Sequence, residues 1–215
     1  MSLKFRLILM NFLQFFVWGS WLITIGAYWF QNKQWSGATF GAIFSTMGIA
    51  SIFMPSIAGI IADKFINAEK LYGFFHLAGA IVMFTVPMVD SPDAMFVVML
   101  IAMSFYMPTI ALAIAVGYSS IKSKGLDVVK VYPPIRVWGT IGFIVALWVV
   151  SLLHFETTAN QFYVSSIASL VLGIYAFTLP KCPPQNTQHQ NKSLIESLGL
   201  TSFKLLKNKN MAIFF

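Results

Sequence analysis

Charge is what this sequence has least of. Only 10% of its 215 residues are Asp, Glu, Lys or Arg, against about 25% in a soluble domain. Too little polar surface is present to face water on all sides. Carboxylates are scarcer still. The seven are Asp63, Glu69, Asp90, Asp93, Asp127, Glu156 and Glu196, and all fall in or beside the polar breaks between apolar runs. No pair of them is placed inside a run for acid–base chemistry. One cysteine, Cys182, is present, which excludes an internal disulfide and any need for an oxidising compartment. No His/Cys/Glu cluster stands at metal-ligand spacing and no nucleotide loop occurs, so neither a metal nor a cofactor is expected. The net charge of +7 does not gather into a face for nucleic acid. Its residues sit at the ends of apolar runs instead.

What the sequence does have is apolar length. Hydrophobic residues make up 58% and aromatics 16%, with 21 phenylalanines, a composition suited to helices facing lipid and one another. The class is an all-α integral membrane protein. A span needs about 20 apolar residues, and six runs qualify, at 5–31, 37–62, 70–89, 94–120, 132–153 and 159–180. Lys4 and Arg6 precede the first run, which continues past Phe30 without a small-residue cleavage site, so it reads as a first helix and not a signal peptide. Residues 1–180 then form one six-helix transmembrane domain and 181–209 a polar linker. Residues 210–215, ending Met211-Ala212-Ile213-Phe214-Phe215, read as the start of a seventh helix in a truncated two-halved transporter.

The cations orient the domain. Lys4, Arg6, Lys64, Lys70, Lys122, Lys124, Lys130, Lys181, Lys192, Lys204, Lys207 and Lys209 fall on one side, Lys33 on the other, and Arg136 within a run; these are all fourteen. The positive-inside rule makes the N-terminus and the linker cytoplasmic.

Arg136 is the outstanding candidate site residue. Pro133-Pro134 fit the first turn of a helix, which puts Arg136 near the positive end of that helix's dipole. An arginine at the bilayer centre costs about 2.5–3.5 kcal/mol or more. Two arrangements offset that: snorkelling toward the headgroups near Lys130, or a partner, cavity or ligand. Thr140 and Phe143 share its helical face, and a guanidinium, a hydroxyl and an aromatic plate suit a neutral polar ring compound. Gly139 and Gly142 admit a close helix or ligand. In the first span Asn11, Gln14, Trp18, Trp21, Thr24 and Tyr28 recur at three- and four-residue spacing, a polar face that reads as cavity-lining, with Gln14, Trp18 and Trp21 as substrate contacts. His76, alone in the third span, and Tyr106-Met107-Pro108-Thr109 in the fourth read first as structural. Gly59-Ile60-Ile61-Ala62-Asp63-Lys64 closes the second span. There the glycine allows a close helix and the Asp63–Lys64 pair is placed to hold a helix end in one conformation. Gly37 and Gly41 form a small-xxx-small packing pair.

Those residues carry a resemblance. The Gly-x-x-x-Asp-Lys signature is similar to the loop motif of the major facilitator superfamily, although Phe65-Ile66-Asn67-Ala68 stand where that motif continues with glycine and basic residues. FLQFFVWGSWLITIG, GIASIFMPSIAGIIADK, AMFVVMLIAMSFYMPT, YPPIRVWGTIGF and LLKNKNMAIFF resemble the bacterial nucleoside:proton symporters, and the likeness covers the whole chain apart from about 183–193. The resemblance implies the N-terminal half of a twelve-helix transporter in the bacterial inner membrane. It implies nucleosides and protons as cargo, imported by alternating access, and a missing C-terminal six-helix half as partner. Arg136, Thr140 and Phe143 match substrate residues of the fifth helix. With no carboxylate inside a span, the proton site falls in the absent half unless His76 serves. The competing readings are a six-helix channel or scaffold acting alone, and a membrane-embedded enzyme, which the absence of a catalytic constellation disfavours.

Overall fold

A computed structural model describes residues 2–184; residue 1 and residues 185–215 lie outside the described part. The helix start expected at 210–215 and most of the linker at 181–209 fall there. Among the described residues every regular element is helical: α1 (Leu3–Gly19), α2 (Ile25–Ala27) running into a wider π turn (Tyr28–Lys33), α3 (Gly37–Phe44), α4 (Thr46–Lys64), α5 (Ala68–Thr85) ending in a 3₁₀ turn (Val86–Met88), α6 (Pro92–Lys122), α7 (Val128–Leu152) and α8 (Asn160–Ala176). Starts follow local chemistry. Ser2, Ser36, Ser91 and Asp127 each accept a hydrogen bond from a backbone N–H of the first turn, and Pro92 opens α6.

Four rods are long and apolar enough to cross a membrane: Gly37–Lys64, Ala68–Met88, Pro92–Lys122 and Val128–Leu152. α8 is a 17-residue helix, and the expected first span is broken. α1 stops at Gly19, where the Ser20 hydroxyl donates to the Phe16 carbonyl (2.7 Å) and the Trp21 and Leu22 amides both turn onto the Trp18 carbonyl. Hydroxyls that bond local carbonyls compete with the helical ladder. The Thr24 hydroxyl then donates across to the side-chain amide oxygen Oε1 of Gln161 (2.7 Å) and ties the broken piece to α8.

α1 sits against α6, α7 and α8; α5 packs on α6 and α8, and α4 on α6. Serines sew α8 into place, since Ser165, Ser166 and Ser169 donate to the carbonyls of Val17, Ala80 and His76 at 2.7–2.9 Å. Such bonds replace the water that a bilayer lacks. At one end of the bundle Lys33 donates to the Val89 carbonyl (3.0 Å) and pairs with Asp90 (2.7 Å). At the other, the segment after α8 is clasped to α5: buried Glu69 accepts from the Cys182 amide (2.8 Å), and the Ala68 amide donates to the Cys182 carbonyl (3.0 Å). Burial pushes the Cys182 thiol up in pKa. Ile52, Phe53, Ile81, Trp148, Ile167 and Ile174 are exposed, an apolar exterior for a multi-pass membrane protein.

Two packing expectations change. Gly37, Gly41 and Gly59 have nothing within 4 Å of an added Cβ, so none of them admits a close helix here. The close approach is at α1 and α7 instead. A Cβ on Gly142 would collide with the Phe12 backbone carbonyl, and one on Gly19 would lie 2.6 Å from the Phe143 carbonyl oxygen.

Candidate functional site

α7 begins at Val128, capped by Asp127, whose side chain accepts from the Val129 amide at 2.9 Å. Pro133 and Pro134 therefore lie inside the helix, not in its first turn. Nine residues separate Asp127 from Arg136, roughly 13 Å of rise, which places Arg136 beyond the strong part of the helix dipole.

The side chain of Arg136 does not run back toward Lys130. Its guanidinium lies beside Gly139, three residues further along α7, with Nη1 2.7 Å from where a glycine Cβ would stand. Its carbon is 3.9 Å from the centre of the Phe15 ring on α1. That is a cation–π contact, and it carries the side chain across to α1. Among the described residues, no carboxylate and no hydrogen-bond acceptor engages Arg136. Its N–H donors are held in place and uncommitted. On the same face of α7 Thr140 is exposed and Phe143 half-buried.

The polar face of α1 divides. Trp18 is half-buried beside Phe15 and Tyr106, with ring centres 6.3 and 5.6 Å away, and its Nε1 is buried with no partner. Trp21 is only 2% exposed, and Gln14 is fully buried. Gln14 is thus not an open cavity wall, contrary to the reading of the sequence, because its amide is the hub of a polar knot. Oε1 accepts from Tyr72 Oη (2.7 Å) and faces His76 Nε2 (2.9 Å), while Nε2 donates to Thr109 Oγ1 (2.9 Å). Asn11 bonds its own helix at the Leu7 carbonyl, 2.9 Å away. Asp63 and Lys64 are exposed and have no hydrogen-bond or ion-pair partner among the described residues.

Sequence reasoning missed Phe15, one ring among 21 phenylalanines, and Tyr132, whose buried hydroxyl has no hydrogen-bond partner among the described residues. Tyr132 stands one turn before Arg136, and that i, i+4 spacing was the available signal.

Comparison with known proteins identifies the family. The profile described as "Nucleoside H+ symporter" matches residues 1–215. The chain belongs to the nucleoside H+ symporter family. Xanthosine permease of Escherichia coli (strain K12) is 51% identical over all of this chain and 51% of its own length. Nucleoside permease NupG of the same organism is 46% identical over all of this chain and 51% of its own length. The crystal structure of the nucleoside transporter NupG superposes with a TM-score of 0.88 over 100% of this chain and 53% of that one. A point mutant of NupG gives 0.94 over 99% of this chain and 53% of that one. The chain therefore spans about half the length of the nucleoside H+ symporters it matches. All the elements that set Arg136 across Phe15, namely α1, α7 and their glycine crossing, lie within the matched half.

Proposed function

We propose that this chain is the N-terminal half of a proton-coupled secondary transporter that imports nucleosides by alternating access. In this reading all six rods span a bacterial inner membrane, α1 together with its broken continuation and α8 included. The N-terminus and the segment after α8 are cytoplasmic. The observation that carries the substrate assignment is Arg136: a guanidinium over the Phe15 ring at 3.9 Å, its donors without an acceptor among the described residues, beside an exposed Thr140. A base or ribose offers carbonyl and hydroxyl acceptors to such a fork and a ring to Phe143. Trp18, with its unpartnered Nε1, borders the same surface. A C-terminal half covers this face and supplies the remaining contacts. Asp63 and Lys64, exposed and without a partner among the described residues, are placed to engage that half during the conformational cycle.

The test is uptake of radiolabelled xanthosine or adenosine by cells lacking other nucleoside carriers. The full-length protein is expected to accumulate substrate, a protonophore to abolish accumulation, and residues 1–215 alone to transport nothing. Transport by residues 1–215 alone would establish the channel reading instead. Orientation is checked separately. A cysteine at Ser91 is expected to react with an impermeant maleimide from outside the cell, and one at Ser123 only after the membrane is opened; the reverse pattern overturns the topology.

A further inference from the structure

α1 and α8 do not close on each other along their whole length. Between them lies an apolar cavity of about 320 Å³, bordered by Leu13 and Phe16 on α1 and by Val164, Ile167, Ala168 and Val171 on α8. Packed interiors hold few voids larger than a water, and this one has roughly ten times a water's share of the liquid. It has the size of a small-ligand pocket. Ile167 and Val171 are 61% and 49% exposed, so it opens outward as a groove on the apolar exterior. Left empty, it would forfeit the dispersion contacts of the side chains around it. The groove also has a direction. At 100° per residue, Arg6 lies on the same side of α1 as Leu13, and Tyr175 on the same side of α8 as Val171. These two meet at its end, where the Tyr175 hydroxyl donates to the Arg6 carbonyl (3.2 Å) and stands beside the Arg6 side chain. Lys4 is exposed nearby, and neither Lys4 nor Arg6 is paired with a carboxylate among the described residues. From Arg6 to Phe16 the helix rises roughly 15 Å, half of the about 30 Å of a bilayer's hydrocarbon core. A cationic end and an apolar channel one leaflet deep are thus aligned.

We propose that this groove is a binding site for one anionic phospholipid of the cytoplasmic leaflet. An acyl chain lies along Leu13, Phe16, Ala168 and Val171, and the phosphate meets Arg6 and Lys4. The proposal takes from the reading above only the orientation, with the N-terminus cytoplasmic, and nothing about nucleosides. Charge complementarity selects the headgroup, since each basic residue near an anionic lipid strengthens binding roughly 5-fold. Two observations favour a lipid over a helix of the C-terminal half or of a second copy. Around α1 the groove is turned from Phe15 by about 100° at Phe16 and about 160° at Leu13, away from the Arg136 face. Its rim is made of the branched side chains of Ile167 and Val171, whereas helix contacts in membranes draw on small residues. A chain in the groove braces α1 against α8, on the side of α1 away from the Phe15 ring that carries Arg136.

The test uses the full-length protein in phosphatidylcholine nanodiscs containing a little phosphatidylglycerol with a photoactivatable diazirine midway along one acyl chain. After illumination, peptide mass spectrometry is expected to find the label concentrated at residues 13–16 and 164–171. Label spread equally over the exterior, at Ile52, Phe53 and Trp148 as much as in the groove, marks annular lipid alone and overturns the site. A groove protected from label is filled by protein and overturns it as well. Unlabelled phosphatidylglycerol is expected to displace the groove label, while added phosphatidylcholine or inorganic phosphate leaves it in place. Equal displacement by phosphatidylcholine overturns the choice of an anionic headgroup, and displacement by inorganic phosphate overturns the lipid. Arg6→Gln is expected to raise the phosphatidylglycerol needed for half-displacement about 5-fold; no change overturns the headgroup contact. Val171→Trp plugs the groove from a half-exposed position and is expected to remove its label while labelling elsewhere persists; a retained groove label overturns the acyl seat. A reversed maleimide pattern at Ser91 and Ser123 would overturn the leaflet, and the groove label would still decide the site. Loss of nucleoside binding would count against the substrate reading alone.

Discussion

Arg136→Ala in the full-length protein is expected to lower nucleoside uptake by at least about 100-fold, the scale of losing two charge-assisted hydrogen bonds. Insertion and monodispersity are expected to survive. The reason is the posture of the side chain. A snorkelling arginine would extend back along α7 toward Lys130, and its loss would affect anchoring alone. Here the guanidinium lies forward, beside Gly139 and 3.9 Å above the Phe15 ring. A partly buried cation with no anionic partner among the described residues is a costly arrangement within a membrane span that a bound ligand relieves. Arg136→Lys is expected to lose most of the activity as well. An ammonium has no planar face to lie on Phe15 and no fork for two acceptors. Phe15→Leu leaves the charge and removes its support, and the expected cost is a rise in KM of roughly 2- to 30-fold. Initial rates against substrate concentration, normalised to the amount of protein in the membrane, separate the three variants. Normal uptake by Arg136→Ala would return the residue to an anchoring role.

Apolar runs and their breaks fixed where the rods lie, because hydropathy over a span of about 20 residues is a sum and tolerates local exceptions. Their interruptions were not legible. The 5–31 run reads by hydropathy as one span, and nothing in its hydropathy marks Gly19 as the end of α1. Pro133 and Pro134 misled for a related reason. Proline is common at a helix start, but Asp127 is an effective cap and the helix starts upstream with the prolines inside it. The three-residue stripe of Arg136, Thr140 and Phe143 was readable from spacing alone, since all three lie on one helix. What holds Arg136 was not, because Phe15 comes from another helix, and pairing across helices leaves no period in the sequence. Gln14 shows the same limit from the other side. Its spacing put it on the polar face of α1, yet whether that face meets a cavity or a buried histidine depends on α5, α6 and α8. Glycine spacing was equally ambiguous: Gly37-x-x-x-Gly41 has the packing signature and open surroundings, while Gly139 and Gly142 lack the four-residue spacing and make the contact.

Gly142→Ala is expected to be the most damaging single-methyl substitution in α7. At this position the obstacle is the backbone of α1 itself: an added Cβ collides with the Phe12 carbonyl, and the neighbouring crossing point, Gly19, is equally tight against the Phe143 carbonyl at 2.6 Å. A side chain can rotate away from a new methyl, whereas a helix backbone moves only as a unit. Overpacking costs about 1–3 kcal/mol even in ordinary cores, which for a domain of this size corresponds to roughly 2–12 °C in Tm. The α1–α7 crossing also sets Phe15 under Arg136, so any separation that relieves the clash withdraws the ring from the guanidinium. Loss of stability and loss of nucleoside affinity are therefore expected together, with the KM of any surviving Gly142→Ala protein raised toward that of Phe15→Leu. Gly41→Ala is the matched control, since its Cβ meets nothing within 4 Å. It gains helix propensity of up to about 1 kcal/mol and is expected to match or exceed the native Tm. Thermal unfolding of the two variants in the same detergent, with substrate binding measured on each, decides the matter. Equal melting temperatures would mean that α1 and α7 do not meet backbone to backbone, and the placement of Arg136 over Phe15 would fall with that contact.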